Sequence, residues 1–154
     1  MSVLPQPITT GRRPRALDLF CGAGGASMGL HRAGFDVVGV DLSAQPEYPF
    51  AFIRGNALEL DFSGFDFVWA SPKCQAHSTA CHDTKRRADH QDQIAPIRER
   101  LLALTVPWVI ENVPGAPLRN PVTLCGAMFG LGVVRHRMFE TSWGAPQPAH
   151  PKHA

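Results

Sequence analysis

Three stretches of this sequence put reactive side chains where the chain would expose them. ASPKCQAHS (70–78) sets Cys74 in a loop directly after an apolar run. A structural cysteine more often lies within a strand, whereas a loop cysteine at the ligand edge of a sheet is a candidate nucleophile. At an ordinary thiol pKa only a few per cent is thiolate at neutral pH. Lys73 alongside, and arginines further on, would raise that fraction by stabilising the anion. WVIENVPG (108–115) ends a hydrophobic run on Glu111. Partial burial would raise the pKa of that carboxyl and let it share a proton with a ring nitrogen. VRHRMF (134–139) carries Arg135 and Arg137 two apart, on one face if the segment is a strand. Taken singly, each has a plainer reading: an ordinary loop thiol, a capping or surface carboxylate, a solvated basic edge.

A fourth stretch has the makings of a cofactor turn. DLFCGAGGASMGLHRAGF (18–35) runs from an apolar strand through glycines into an amphipathic pattern. Glycines allow close backbone approach and positive φ, and an acidic residue about 20 positions on, here Asp41, suits a ribose diol. The dinucleotide fingerprint fails because Ser27 stands where its third glycine belongs. That removes the usual pyrophosphate cradle and favours S-adenosylmethionine, an adenosine-bearing cofactor without phosphate. A nicotinamide oxidoreductase also leaves Cys74 and Glu111 without a role. A turn that merely permits tight helix-on-strand packing is the alternative.

These residues need elements to position them. The pattern predicts strands over 15–20, 36–41, 50–55, 65–71, 107–112 and 134–141, and helices beginning near Gly24 and over 92–104. Ala26, Leu30 and Ala33 should share the buried face of the first helix, and Pro96 suits the first turn of the second if it starts near Ile94. Strand–helix–strand within about 27 residues is a βαβ unit with parallel strands. The fold class is α/β, an open, doubly wound, mostly parallel sheet. In such sheets ligands lie beyond the carboxyl ends of the strands. Every segment just past a predicted strand is polar or reactive: Gly22-Ala23-Gly24, Asp41, Asn56, Ser71 to Ser78, Glu111-Asn112.

In combination and in this order, the motifs resemble those of the cytosine-C5 DNA methyltransferase family. DLFCGAGGASMGLHRAGF is similar to its cofactor motif, SPKCQAHS to its Pro-Pro-Cys-Gln loop, ENV (111–113) to its Glu-Asn-Val and RHR (135–137) to its Arg-x-Arg. The resemblance covers roughly residues 16–141 and implies a Rossmann-like methyltransferase fold. It further implies that Cys74 adds to C6 of cytosine and that Glu111 holds N3 and the exocyclic amine. Arg137, with Arg135, would contact O2 or position the loop. Asp18, Phe20, Gly22, Ala23, Gly24, Gly25, Asp41, Leu42, Asn56, Ala57 and Pro72 would line the S-adenosylmethionine site, with Asp41 on the ribose and Asn56 near the adenine. Gln75, Ser78 and Asn112 would meet the nucleic acid, whose target base must leave the duplex. The sequence departs from the family pattern at Lys73 (second proline), His77 (phenylalanine), Val133 (glutamine) and Asn56 (aspartate).

Size and composition set bounds. The 154 residues suit one domain, and 44% hydrophobic with 18% charged residues suit a soluble globular protein. A net charge of +2 does not by itself argue for nucleic acid; local clusters such as Lys85, Arg86 and Arg87 do, as phosphate contacts that position without specifying sequence. Four cysteines without a CxxC pair fit a reduced, cytoplasmic protein, and the resemblance implies a standalone modification enzyme of a bacterium or its virus. No apolar run spans a bilayer. Residues 1–14 and 144–154 are expected as flexible arms around a catalytic domain over 15–143. A chain this short predicts a short or degenerate target site, and a homodimer or partner chain would supply missing recognition elements. RNA as substrate, or a half-enzyme binding module, are the competing functions. His77, Cys81, His82 and His90 match no standard zinc spacing, so no metal is expected.

Overall fold

The computed structural model describes residues 11–73 and 92–153. Seven strands form one sheet: β1 (Arg15–Leu19), β2 (Asp36–Asp41), β3 (Ala51–Arg54), β4 (Phe67–Ala70), β5 (Trp108–Asn112), β6 (Val122–Cys125) and β7 (His136–Thr141). Their order is β3-β2-β1-β4-β5-β7-β6. β1 to β5 pair in parallel, while β7 runs antiparallel to both β5 and β6. Two helices are described, α1 (Gly25–Arg32) and α2 (Ile94–Leu102), with a 3-10 turn at Gly126–Phe129.

Residues alternate across β1. Leu17 and Leu19 enter the larger core with Val38, Val40, Val68, Ile110, Ile97 and Leu101. Ala16 faces the smaller core with Leu30 and Val37, flanked by Phe35, Phe50, Phe67 and Trp69. The sheet is therefore covered on both faces, which is why its central strands read as continuous apolar runs. α2 buries Ile94, Ile97, Arg98 and Leu101, an i, i+3, i+4, i+7 stripe, and Pro96 falls in its first turn as expected. α1 differs from expectation in its buried face: Ser27 and Leu30 are buried, Ala26 is intermediate and Ala33 exposed. Ser27 turns inward because a buried partner, Asp18 on β1, accepts its hydroxyl hydrogen bond. Arg13 closes the far end of α1, donating to the carbonyls of Gly34 (3.1 Å) and His31 (3.2 Å), the second of which also accepts the Gly34 N–H.

The antiparallel side is clamped by a buried ion pair. Arg98 on α2 donates to both oxygens of Glu140 on β7 at 2.8 and 2.7 Å, and to the Pro117 carbonyl at 2.7 Å. Glu140 also accepts the Arg119 backbone N–H. With the two residues 6% and 4% exposed, these extra bonds are what make burying the charges tolerable. Pairing begins at His136, so Arg137 lies within β7 while Arg135 is exposed just before it. β6 was not anticipated from the sequence.

Candidate active site

The carboxyl edge of the sheet divides into a part built from backbone and a part built from side chains. The first begins where β1 ends. Phe20 has φ 60, Gly22 φ 51 and Gly24 φ 94, three left-handed residues that reverse the chain over the sheet edge. Phe20 is not a glycine, and such a strained backbone persists only where its surroundings enforce it. Asp41, closing β2, accepts the Gly22 N–H at 3.1 Å and the Ser43 N–H at 3.0 Å. A Cβ on Gly24 would sit 3.1 Å from Pro49 Cδ and from the Tyr48 ring. Tyr48 also fills the space over Gly39, where any Cβ would overlap its ring, and its hydroxyl lies 2.7 Å from Ser27 Oγ.

A cleft of about 70 Å³ opens beside this turn, lined by Phe20, Asp41, Leu42, Ala57, Ser71, Lys73 and Gln93 among others. Four expected cofactor residues, Phe20, Asp41, Leu42 and Ala57, thus meet on one wall. Ala23 and Gly25 are exposed on the turn above it. The cleft is smaller than the roughly 300 Å³ of a complete ligand pocket, and the chain passes at Lys73 into residues outside those described. A larger hollow of about 570 Å³, lined by residues from 61–65 and 100–106 including Phe62, Arg100 and Leu104, lies at the amino ends of β4 and β5, away from the reactive residues.

Three expected site residues have their side chains committed elsewhere. Asp18 is fully buried under the turn, bonded to Ser27, with its Oδ1 unpartnered. Burial, with smaller contributions from the Glu111 and Asp41 charges, pushes its pKa up to about 7 against the Ser27 hydrogen bond. Asn56 donates to Glu59 at 2.8 Å and accepts the Leu58 N–H at 3.0 Å, closing a local turn. Asn112, expected at the nucleic acid, is 3% exposed; its amide donates to the Pro72 carbonyl at 3.1 Å and its oxygen accepts the Val113 N–H. It therefore holds Pro72, two residues before Cys74. Pro72 is buried at that anchor. Burial likewise pushes the Cys21 thiol up to about 12, which makes it inert at neutral pH.

The side-chain part is a short relay on the α1 face. Trp69 Nε1 donates to Ser71 Oγ at 2.9 Å, and Ser71 donates to Glu111 Oε2 at 3.3 Å. Arg137 Nε stands 3.5 Å from Glu111 Oε1. Burial raises the Glu111 pKa, while the Arg137 charge, the Ser71 and Trp69 hydrogen bonds and, least, the Arg135 charge oppose it. The outcome is a carboxyl that takes up a proton more readily than a free one, with a cation at hand when it is ionised. Sequence reasoning missed Ser71 and Trp69 as partners of Glu111; the only signal was that β4 ends beside β5. Cys74, Gln75, Ser78, Lys85, Arg86 and Arg87 lie outside the described residues, as do His77, Cys81, His82 and His90.

A parallel α/β sheet closed by an antiparallel hairpin, with a glycine turn after its first strand and a Glu-Asn pair ending its fifth, defines a methyltransferase of the Rossmann-like class. The chain belongs to the C-5 cytosine-specific DNA methylase family, whose family model matches residues 15–120. The methyl donor of that family is S-adenosylmethionine. Among solved structures, the Dnmt2 methyltransferase of S. pombe superposes with a TM-score of 0.60 at 19% identity, over 90% of this chain and 52% of that one. The magnesium protoporphyrin IX methyltransferase of Synechocystis, solved with bound SAM, gives 0.52 at 15% identity, over 87% and 73%. The chain thus spans about half the length of the Dnmt2 structure. A search of curated proteins found no match. No helix among the described residues is long and apolar enough to cross a membrane.

Proposed function

We propose that the protein transfers a methyl group from S-adenosylmethionine to C5 of cytosine in DNA. The observation that carries this reading is the convergence of Ser71, Glu111 and Arg137 beside Pro72, which Asn112 anchors two residues before Cys74, in a chain of this family. The cofactor fits the backbone part of the site: an adenosine-bearing molecule meets the Gly22–Gly24 turn, the Asp41 carboxylate and the Phe20–Leu42–Ala57 wall. It supplies an electrophilic methyl group.

Carbon 5 of cytosine is a weak nucleophile, and the residues of this chain would remedy that. The Cys74 thiolate adds to C6, forming the S–C6 bond and moving the ring electrons toward C5 and N3. Glu111, whose pKa burial raises, donates a hydrogen bond or proton at N3 and accepts one from the exocyclic amine. Arg137 holds the Glu111 carboxylate once it has given up that proton. Once C5 carries the methyl group, water takes the C5 proton as the C6–S bond breaks and the Cys74 thiolate leaves, and N3 returns its proton to Glu111, which restores the aromatic ring. Lys85, Arg86 and Arg87 would contact phosphates, so target specification by the chain alone is short or degenerate.

The test is methyl transfer by the full chain to duplex DNA and to an RNA transcript of the same sequence, with 5-methylcytosine identified in the digested product. The proposal expects 5-methylcytosine in DNA. Product only in RNA would reassign the substrate, and product in neither would refute the activity.

A further inference from the structure

We propose that Cys125, His136, His150 and His153 form a four-coordinate site for a divalent transition metal of the zinc class, which staples residues 145–153 to the β6–β7 edge. The four ligand atoms all lie within 4.8 Å of one another. Cys125 Sγ is 3.4 Å from His153 Nε2, and the Nε2 atoms of His136 and His150 are 3.0 Å apart. A tetrahedral zinc ion with bonds of about 2.0–2.3 Å holds its ligand atoms roughly 3.3–3.6 Å apart. The close pairs therefore already stand near the edge length of that tetrahedron, and the widest, at up to 4.8 Å, needs to close by roughly 1.2–1.5 Å at most.

The fold assembles this set from three places in the sequence. Cys125 and His136 face each other as register partners at the ends of β6 and β7. His150 and His153 come from the Pro-rich tail, which Gln147 ties to the outer edge of β6. The Gln147 amide accepts the Thr123 N–H at 2.8 Å and donates to the Thr123 carbonyl at 2.9 Å, taking the place of a neighbouring strand. The rings of His136 and His150 stack at 5.0 Å, and His153 stands nearly perpendicular to both.

The tautomer of His150 is fixed by its second nitrogen. Nδ1 lies 2.7 Å from the Pro151 carbonyl, which only an N–H can face, so Nε2 presents a lone pair toward the cluster. A carbonyl behind the imidazole in this way is the usual support of a metal-binding histidine. One thiolate and three neutral imidazoles suit zinc and leave no open position, which makes the site structural. Binding displaces the Cys125 thiol proton to solvent as the sulfur–metal bond forms. Cys125 is 2% exposed while His150 is exposed, so the ion enters from the tail side. His136 precedes Arg137, so the staple also fixes the strand end that carries the Glu111 partner.

The test uses the full chain, stripped with chelator under reducing conditions and titrated with cobalt(II), then zinc. One equivalent of cobalt should give the intense visible bands of tetrahedral coordination and a thiolate-to-cobalt charge-transfer band, both displaced by zinc. Zinc should raise Tm and slow proteolysis of the tail. Cys125→Ser should remove the charge-transfer band, and the His150→Ala/His153→Ala double variant, altered only in the tail, should lose the tetrahedral bands and the zinc-dependent protection. A weak octahedral spectrum in the wild type would overturn the proposal. So would a signal undiminished in the double variant, because the metal would then sit elsewhere in the chain.

Discussion

The two parts of the carboxyl edge solve different problems with different material. The cofactor part is made of main chain: three left-handed residues after β1, with Asp41 pinned to Gly22 N–H. The reaction part is made of side chains from three strands: Ser71 after β4, Glu111 on β5 and Arg137 on β7. A backbone site is sensitive to added volume and indifferent to most side-chain chemistry, whereas a side-chain relay fails when one charge or proton is lost. The two carboxylates nearest each part make the same contrast. Asp18 is sealed under the turn with a protein hydroxyl for company, while Glu111 keeps an arginine partner and a partly exposed side chain.

The largest effect is expected in the relay. Glu111→Gln removes the proton donor and should lower methyl transfer by about 10²- to 10⁴-fold, the usual worth of a positioned acid–base group. S-adenosylmethionine binding, measured by calorimetry, should be unchanged; a parallel loss of binding would show that the two parts are not separable.

Next comes the clamp behind the relay. Arg98→Ala leaves Glu140 charged and buried, and should cost about 3–5 kcal/mol of stability in denaturant unfolding. Arg98→Met with Glu140→Leu should recover much of it. Failure of the double variant to recover would mean that the Pro117 and Arg119 bonds, rather than charge burial, hold β7.

The backbone part should respond to volume in a graded way. Gly24→Ala combines positive φ with contacts at 3.1 Å, while Gly22→Ala has positive φ but open space around its Cβ. Costs of about 2–3 and about 1 kcal/mol are expected, with the same ranking in cofactor affinity. Equal effects would remove the Tyr48–Pro49 wall from the account.

A pH dependence from Asp18 completes the series. Its folded pKa of about 7 exceeds the ordinary 3.8, so the folded state binds the proton more tightly. The stability this confers is complete below the unfolded pKa and is lost as pH rises through about 7. Urea midpoints should fall over that range in the wild type more than in Asp18→Asn. Parallel curves for the two proteins would contradict the assignment.

How far the sequence could be read follows the same division. The parallel strands were legible because burial on both faces writes continuous apolar runs, and their carboxyl ends point to Gly22–Gly24, Asp41 and Glu111. β6 was not, because Val122–Cys125 is a four-residue edge strand between Pro121 and a 3-10 turn, with only Val122 and Cys125 buried. Asn56 and Asn112 were legible in position but not in role, since what an amide bonds is decided by neighbours distant in sequence. Tyr48 and the Arg98–Glu140 pair left no local trace. The Cys125–His153 cluster spans a hairpin and a tail that look unrelated until Gln147 brings them together.

The most direct test of the central claim is covalent capture. Duplex DNA carrying 5-fluorocytosine cannot release its C5 substituent after methyl transfer, so with S-adenosylmethionine the wild-type chain should remain bound to it through Cys74, identified by peptide mass. Cys74→Ala should not be retained. Methylation of ordinary cytosine by Cys74→Ala at the wild-type rate, or attachment through any other residue, would contradict the account.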